Sequence, residues 1–223
     1  MPQTDAQTAM ALAIASQDCS FLLTHLVRQN AGKSDQDARN DLLSILNISN
    51  VASSPMLRSS ITGWYGSTSS NVYDPSSCSF IAAPAPKAVC LTESTFAGLK
   101  AHRDAFDAKY GLSFSRDHLL TRGANPCLNI KEQILKKETY MPGEIYPRRV
   151  YNFIPQELHP FINIIHDRYD STHEREWRYP GNLEFTYEEL VVVYCPQEDF
   201  AAFATIQNNG FPLLFDLKWL GWM

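Results

Sequence analysis

The run Glu174-Arg175-Glu176-Trp177-Arg178 holds the residue types and spacing best suited to chemistry. In an extended strand, side chains alternate between faces, so Glu174, Glu176 and Arg178 share one side while Arg175 and Trp177 take the other. In a cleft, repulsion between the two carboxylates keeps one partly protonated while the arginine fixes its neighbour. That arrangement prepares a carboxylate for hydrogen-bonding or transition-state work. The same pattern also describes a surface strand with solvated ion pairs, which contribute little to stability. The elements around the run therefore decide between the two readings.

Other candidates are sparser. His25 and Thr24 interrupt the apolar run Phe21-Leu22-Leu23-Thr24-His25-Leu26-Val27, and polar groups inside a core strand need hydrogen-bond partners, either from the protein or from a ligand. Glu188 and Glu189 directly precede Leu190-Val191-Val192-Val193 and form a second acidic pair at a strand entrance. No glycine-rich phosphate loop, Gly-x-Ser-x-Gly elbow or His-x-x-x-His pair is present. His159, His166 and His173 recur every seven residues, but Pro160 works against one long helix carrying all three, so no metal site is expected.

The five cysteines, Cys19, Cys78, Cys90, Cys127 and Cys195, are odd in number and contain no Cys-x-x-Cys pair, which reads as reduced, mostly buried thiols in a cytoplasmic protein. The net charge of −5 supplies no broad attractive field for nucleic acid, so such a partner would need a local basic cleft. No secretion signal is expected from the start of the sequence, and no apolar stretch approaches the ~20 residues of a membrane helix, so no membrane partner is expected.

The elements that must position these residues follow from periodicity and punctuation. Helices are expected at 6–18 and at 35–47, the latter capped by Ser34 or Asp35, with a buried strand at 21–27 between them. Residues 50–86 turn to Ser, Pro, Gly and Tyr, with Trp64, Tyr65 and Tyr73 embedded, and read as a lid or insertion. A strand at 88–91 leads to a helix capped by Ser94, with Phe96, Leu99, Phe106 and Tyr110 on its inner stripe and Gly111 as its end. Short strands follow at 112–115 and 127–130, separated by a brief helix that Ser115 caps and Gly123 ends, and 131–138 reads as an exposed helix. A helix is expected from Pro160 through Ile164 and Ile165, then alternation at 183–187, a buried strand at 189–194, a helix at 197–208 ended by Gly210, and a closing strand at 211–217. Strands with irregularly inserted helices point to an α+β fold, and 223 residues at 44% hydrophobic fit one domain.

Taken together, several segments resemble the AbiGi-type abortive-infection family over most of residues 20–215. They are Phe-Leu-Leu-Thr-His-Leu-Val-Arg at 21–28, Asp-Leu-Leu-Ser-Ile-Leu at 41–46 and Ala-Val-Cys-Leu-Thr-Glu at 88–93, followed by Tyr-Gly-Leu-Ser-Phe-Ser-Arg-Asp at 110–117, Gly-Ala-Asn-Pro-Cys-Leu at 123–128 and Glu-Arg-Glu-Trp-Arg. The opening strand-helix unit also resembles that of the DarT-type nucleic-acid ADP-ribosyltransferases. The resemblance implies an ADP-ribosyltransferase-like mixed or antiparallel split sheet with inserted helices, and NAD as substrate. It further implies a toxin-like effector of an anti-phage or toxin–antitoxin system that transfers ADP-ribose to RNA, DNA or protein.

Residue by residue, it implies that His25 holds the nicotinamide ribose or amide. Glu176 would bind the ribose 2′-hydroxyl and steady the oxocarbenium ion, Glu174 would orient the acceptor, and Arg178 completes the charged face. Tyr110, as an aromatic able to stack on nicotinamide, Ser115, as a hydroxyl at a strand end, and Arg58, for a phosphate, are the secondary cofactor candidates. One departure matters: the DarT-type glutamate opens a buried strand, a context that here belongs to Glu188 and Glu189. Two rival functions share the resemblance. One is a non-catalytic antitoxin that binds a cognate toxin, a label the AbiGi-type family has carried. The other is an NAD glycohydrolase in which water replaces the acceptor.

Overall fold

The computed structural model describes residues 20–27, 34–48, 53–62, 70–93, 95–140, 143, 145–165 and 175–222. The expected helix at 6–18, and Cys19, Trp64, Tyr65, Ser94, His166, His173 and Glu174 lie outside them, and the helix Phe96–Phe106 is capped by Thr95, which accepts from the Gly98 N–H at 3.2 Å, in place of the expected Ser94.

In chain order the strands are β1 (Leu22–Val27), β2 (Met56–Leu57), β3 (Ser60–Ile61), β4 (Ser70–Asp74), β5 (Ser79–Ala83), β6 (Lys87–Thr92), β7 (Tyr110–Ser115) and β8 (Asn125–Pro126). They continue with β9 (Leu128–Lys131), β10 (Glu138–Thr139), β11 (Arg148–Arg149), β12 (Ile162–Ile165), β13 (Glu176–Pro180), β14 (Leu183–Glu184), β15 (Leu190–Tyr194) and β16 (Leu213–Phe215). The helices are α1 (Asp35–Ile45), α2 (Phe96–Phe106), α3 (Arg116–Thr121), α4 (Glu132–Lys136) and α5 (Phe200–Phe203). This is a mixed α and β fold with mostly antiparallel pairing. Among the described residues, no helix is long and apolar enough to cross a membrane.

The chain divides into two compact units, each assembled from separate stretches. The first takes the described residues of Met1–Leu57, Leu91–Gly123 and Glu184–Met223, and the second those of Arg58–Cys90 and Ala124–Leu183. In the first, strands run in the order β16, β15, β7, β1 and then the Leu91–Thr92 end of β6, with only the β15–β16 pair parallel. Leu22, Leu26, Leu99, Val192, Tyr194, Leu217 and Leu220 form one cluster of its core. Three hydroxyls cross this sheet in line: Thr24 Oγ1 and Ser113 Oγ lie 2.7 Å apart, and Ser113 donates to Tyr194 Oη at 2.9 Å. The polar interruption of β1 is thus answered, for Thr24, by the neighbouring strand.

In the second unit, the Lys87–Cys90 part of β6 pairs with β3 and β13, β8 pairs with β13, and β4 and β5 form a hairpin. Parallel β9 and β12 bring Ile162 and Ile164 onto Leu135 and Tyr151 to make a small core. The hairpin falls within the stretch expected as a lid. Its turn is built by Asp74, whose carboxylate accepts from the Ser76 N–H at 3.0 Å and the Ser77 hydroxyl at 2.6 Å.

Several expectations hold at the level of single elements. Ser34 caps α1 in a capping box with Asp37, and Ser115 caps α3, accepting from the His118 N–H at 3.4 Å. Others need correction. The helix expected to end at Gly111 ends at Asp107, which takes the left-handed conformation at φ 46°, and Tyr110 opens β7 instead of closing a helical stripe. Gly111 serves another purpose: a Cβ there would stand 2.7 Å from the His25 carbonyl oxygen.

The helix expected from Pro160 is a 3₁₀ turn, Gln156–Phe161, followed by β12. Ile162 and Ile164 alternate inward, and the isoleucines suit a pleated strand. Residues 197–208 break into short turns around α5 because Phe200, Phe203 and Ile206 recur every third residue, the 3₁₀ period. The alternation at 183–187 yields only β14 before a 3₁₀ turn at Tyr187–Glu189.

Gly111→Ala should destabilise the protein by about 1–3 kcal/mol, the usual cost of overpacking, because the clashing atom is backbone and cannot swing away. A urea titration checks this, and an unchanged midpoint would show that the two strands have room to part.

Candidate functional site

β13 carries the centre of the Glu-Arg-Glu-Trp-Arg run. It is held edge to edge by β8, with Trp177 opposite Pro126 and Arg178 opposite Asn125, and the Cys127 N–H donates to the Glu176 carbonyl at 2.8 Å. The strand begins only at Glu176, because Arg175 sits at φ 44° and turns the chain out of the extended form. The shared face is therefore described for Glu176 and Arg178.

Arg178 is 4% exposed. Its Nε and Nη2 donate to the two Glu176 carboxylate oxygens at 3.0 and 3.3 Å, and its Nη1 donates to the carbonyls of Pro160 at 3.0 Å and Ile162 at 2.7 Å. The guanidinium thus fixes the Glu176 carboxylate and staples β13 to the junction that starts β12. Burial favours a paired over a solvated reading of this charge run, since an unmatched buried guanidinium would be very costly.

Two cysteines, which the sequence reading did not single out, stand beside the pair. Burial, with the Glu176 carboxylate adding to it and Arg178 opposing, pushes the Cys90 thiol up to about 12. Burial raises Cys127 as well, against the pull of Arg178. Both are neutral thiols at neutral pH, so Glu176 is flanked by one bound cation and uncharged sulfur. The thiols are less uniformly buried than expected: Cys195 is buried, Cys90 and Cys127 are half-buried, and Cys78 is exposed.

The competing glutamates belong to the first unit. Glu188 is exposed. Glu189 closes a capping box, with its Oε2 accepting from the Thr186 N–H at 2.6 Å, while Oε1 accepts from His118 Nε2 at 2.6 Å and Arg122 Nη1 at 2.8 Å. Burial pushes its pKa up, but the Thr186 N–H, His118 and Arg122 together outweigh that and hold it below the usual glutamate value. Its oxygens are committed to binding the turn before β15 to α3. The four-residue spacing of His118 and Arg122 around one helical turn was the available sequence signal.

The remaining candidates are distributed between the units. His25, Tyr110 and Ser115 lie on β1 and β7 of the first, with His25 half-buried opposite Leu112. The Tyr110 hydroxyl donates to Asp199 Oδ2 at 2.7 Å, whose other oxygen accepts from Arg39 at 2.8 Å, and burial followed by that hydrogen bond raises the Tyr110 pKa. Ser115 spends its oxygen on the α3 cap. Arg58 is exposed and belongs to the second unit with Glu176 and Arg178. His159 is a satisfied core histidine: Tyr151 Oη lies 3.0 Å from Nδ1, Ile154 O lies 3.0 Å from Nε2, and burial lowers its pKa. Among the described residues, no cluster of three or more His, Cys, Asp or Glu side chains could hold a metal ion.

No family model, curated protein or solved structure matches this chain.

Replacing Arg178 with Met should cost about 3–5 kcal/mol in urea unfolding, because Glu176, whose side chain is only 15% exposed, is left without its partner. Adding Glu176→Leu to that variant should recover part of the loss, whereas additive losses would show that the pair does not act as a unit.

A second expectation concerns pH. The depressed Glu189 pKa contributes stability that is fully present above the unfolded glutamate value, about 4.3, and is lost as pH falls through the lower folded value. Glu189→Gln should therefore narrow the difference in urea midpoint between neutral pH and pH values below that window.

Proposed function

We propose that the chain is an NAD-dependent ADP-ribosyltransferase-like effector of an anti-phage or toxin–antitoxin system, with Glu176 as the catalytic carboxylate. The observation that carries this reading is the fixed Glu176 carboxylate, bound on both oxygens by a guanidinium that is itself anchored to two carbonyls. A carboxylate already oriented in a largely buried setting needs little reorganisation when positive charge develops beside it, which is a large source of rate. The resemblance of the segments at 21–28, 110–117 and 174–178 to the AbiGi-type family, with that of the opening strand-helix unit to DarT-type enzymes, supplies the substrate.

In this mechanism the bond between the nicotinamide nitrogen and ribose C1′ breaks, and the electron pair leaves with nicotinamide. The unused lone pairs of Glu176 accept the 2′-hydroxyl hydrogen bond and stabilise the cation on the ribose. The acceptor then bonds to C1′ and loses its proton. Arg178 does not touch substrate in this scheme; it is a positioning residue for Glu176. The carboxyl of Glu189 is occupied by three donors, which favours Glu176 for the role.

The test is incubation of the purified chain with labelled NAD and with RNA, DNA and protein acceptors. Wild type should release nicotinamide and label one acceptor. Glu176→Gln should lower release by about a hundredfold, the scale of losing one electrostatic stabiliser, while Glu189→Gln should retain it. Release without labelling would identify an NAD glycohydrolase. Neither release nor a rise in melting temperature with NAD would sink the proposal.

A further inference from the structure

We draw no further inference here: the strongest candidate, the cavity of the first unit lined by Arg103, Asp107, Lys109, Asp216 and Lys218, carries nothing, because its three cations are already paired with Asp104, Asp35 and Glu198, the buried Asp216 gives each oxygen to a backbone N–H, and nothing in the structure shows what would fill it.

Discussion

A guanidinium taken out of water must find acceptors for its N–H groups and a counter-charge, and in the second unit Arg178 meets both demands at once. One apolar cluster there rests on Leu135, Tyr151, Ile162 and Ile164, and Trp177 of β13 is itself buried. Apolar contact is non-directional, so it does not by itself orient the polar groups of β13. Arg178 adds that direction: one edge of the guanidinium, Nε and Nη2, fixes Glu176, and Nη1 grips the carbonyls of Pro160 and Ile162. Ile162 therefore contributes twice, with its side chain in the core and its carbonyl on the arginine. The neutrality of Cys90 and Cys127 follows from the same setting, since burial dominates both thiols.

The first unit uses carboxylates in a comparable way, but to tie turns. Asp199 bridges Arg39 of α1 and Tyr110 of β7. Asp216 is buried and accepts from the Gln197 and Lys218 N–H groups at 3.0 and 2.8 Å. Glu189 closes its own turn while holding α3. Each carboxylate satisfies backbone or side-chain donors that irregular chain would otherwise leave exposed to desolvation. Glu189 and Asp216 thus hold short 3₁₀ segments, which lack the long hydrogen-bond ladders of regular helices.

What was legible in the sequence is what depends on neighbours along the chain. β1, β6 and β15 announce themselves as apolar runs, α1 by its Ser34 cap, and the shared side of Glu176 and Arg178 by period-two alternation. What was not legible depends on partners distant in sequence. The placing of Cys90 and Cys127 beside Glu176 requires β6 and β8 to flank β13, which no local pattern announces. Gly111 shows a different ambiguity: glycine ends helices and also permits close backbone approach, and only the neighbouring strand reveals which use applies. Ile162 to Ile165 resolved as a strand because β9 offered a parallel partner.

The line of hydroxyls through Thr24, Ser113 and Tyr194 bears on which alignment of strands the chain accepts. An apolar face distinguishes a slip of one residue, since every side chain changes sides, but a slip of two leaves inward residues inward and is nearly invisible to hydrophobic burial. Three buried hydroxyls on adjacent strands remove that degeneracy. Moved by two places, Thr24 would stand opposite Gly111 or opposite Ser115, whose oxygen already caps α3, and Ser113 would stand opposite Leu22 or Leu26, stranding polar atoms inside the core. A polar thread that adds little to cohesion therefore selects one registry of β1, β7 and β15 from a ladder of alternatives that greasy side chains alone could not tell apart.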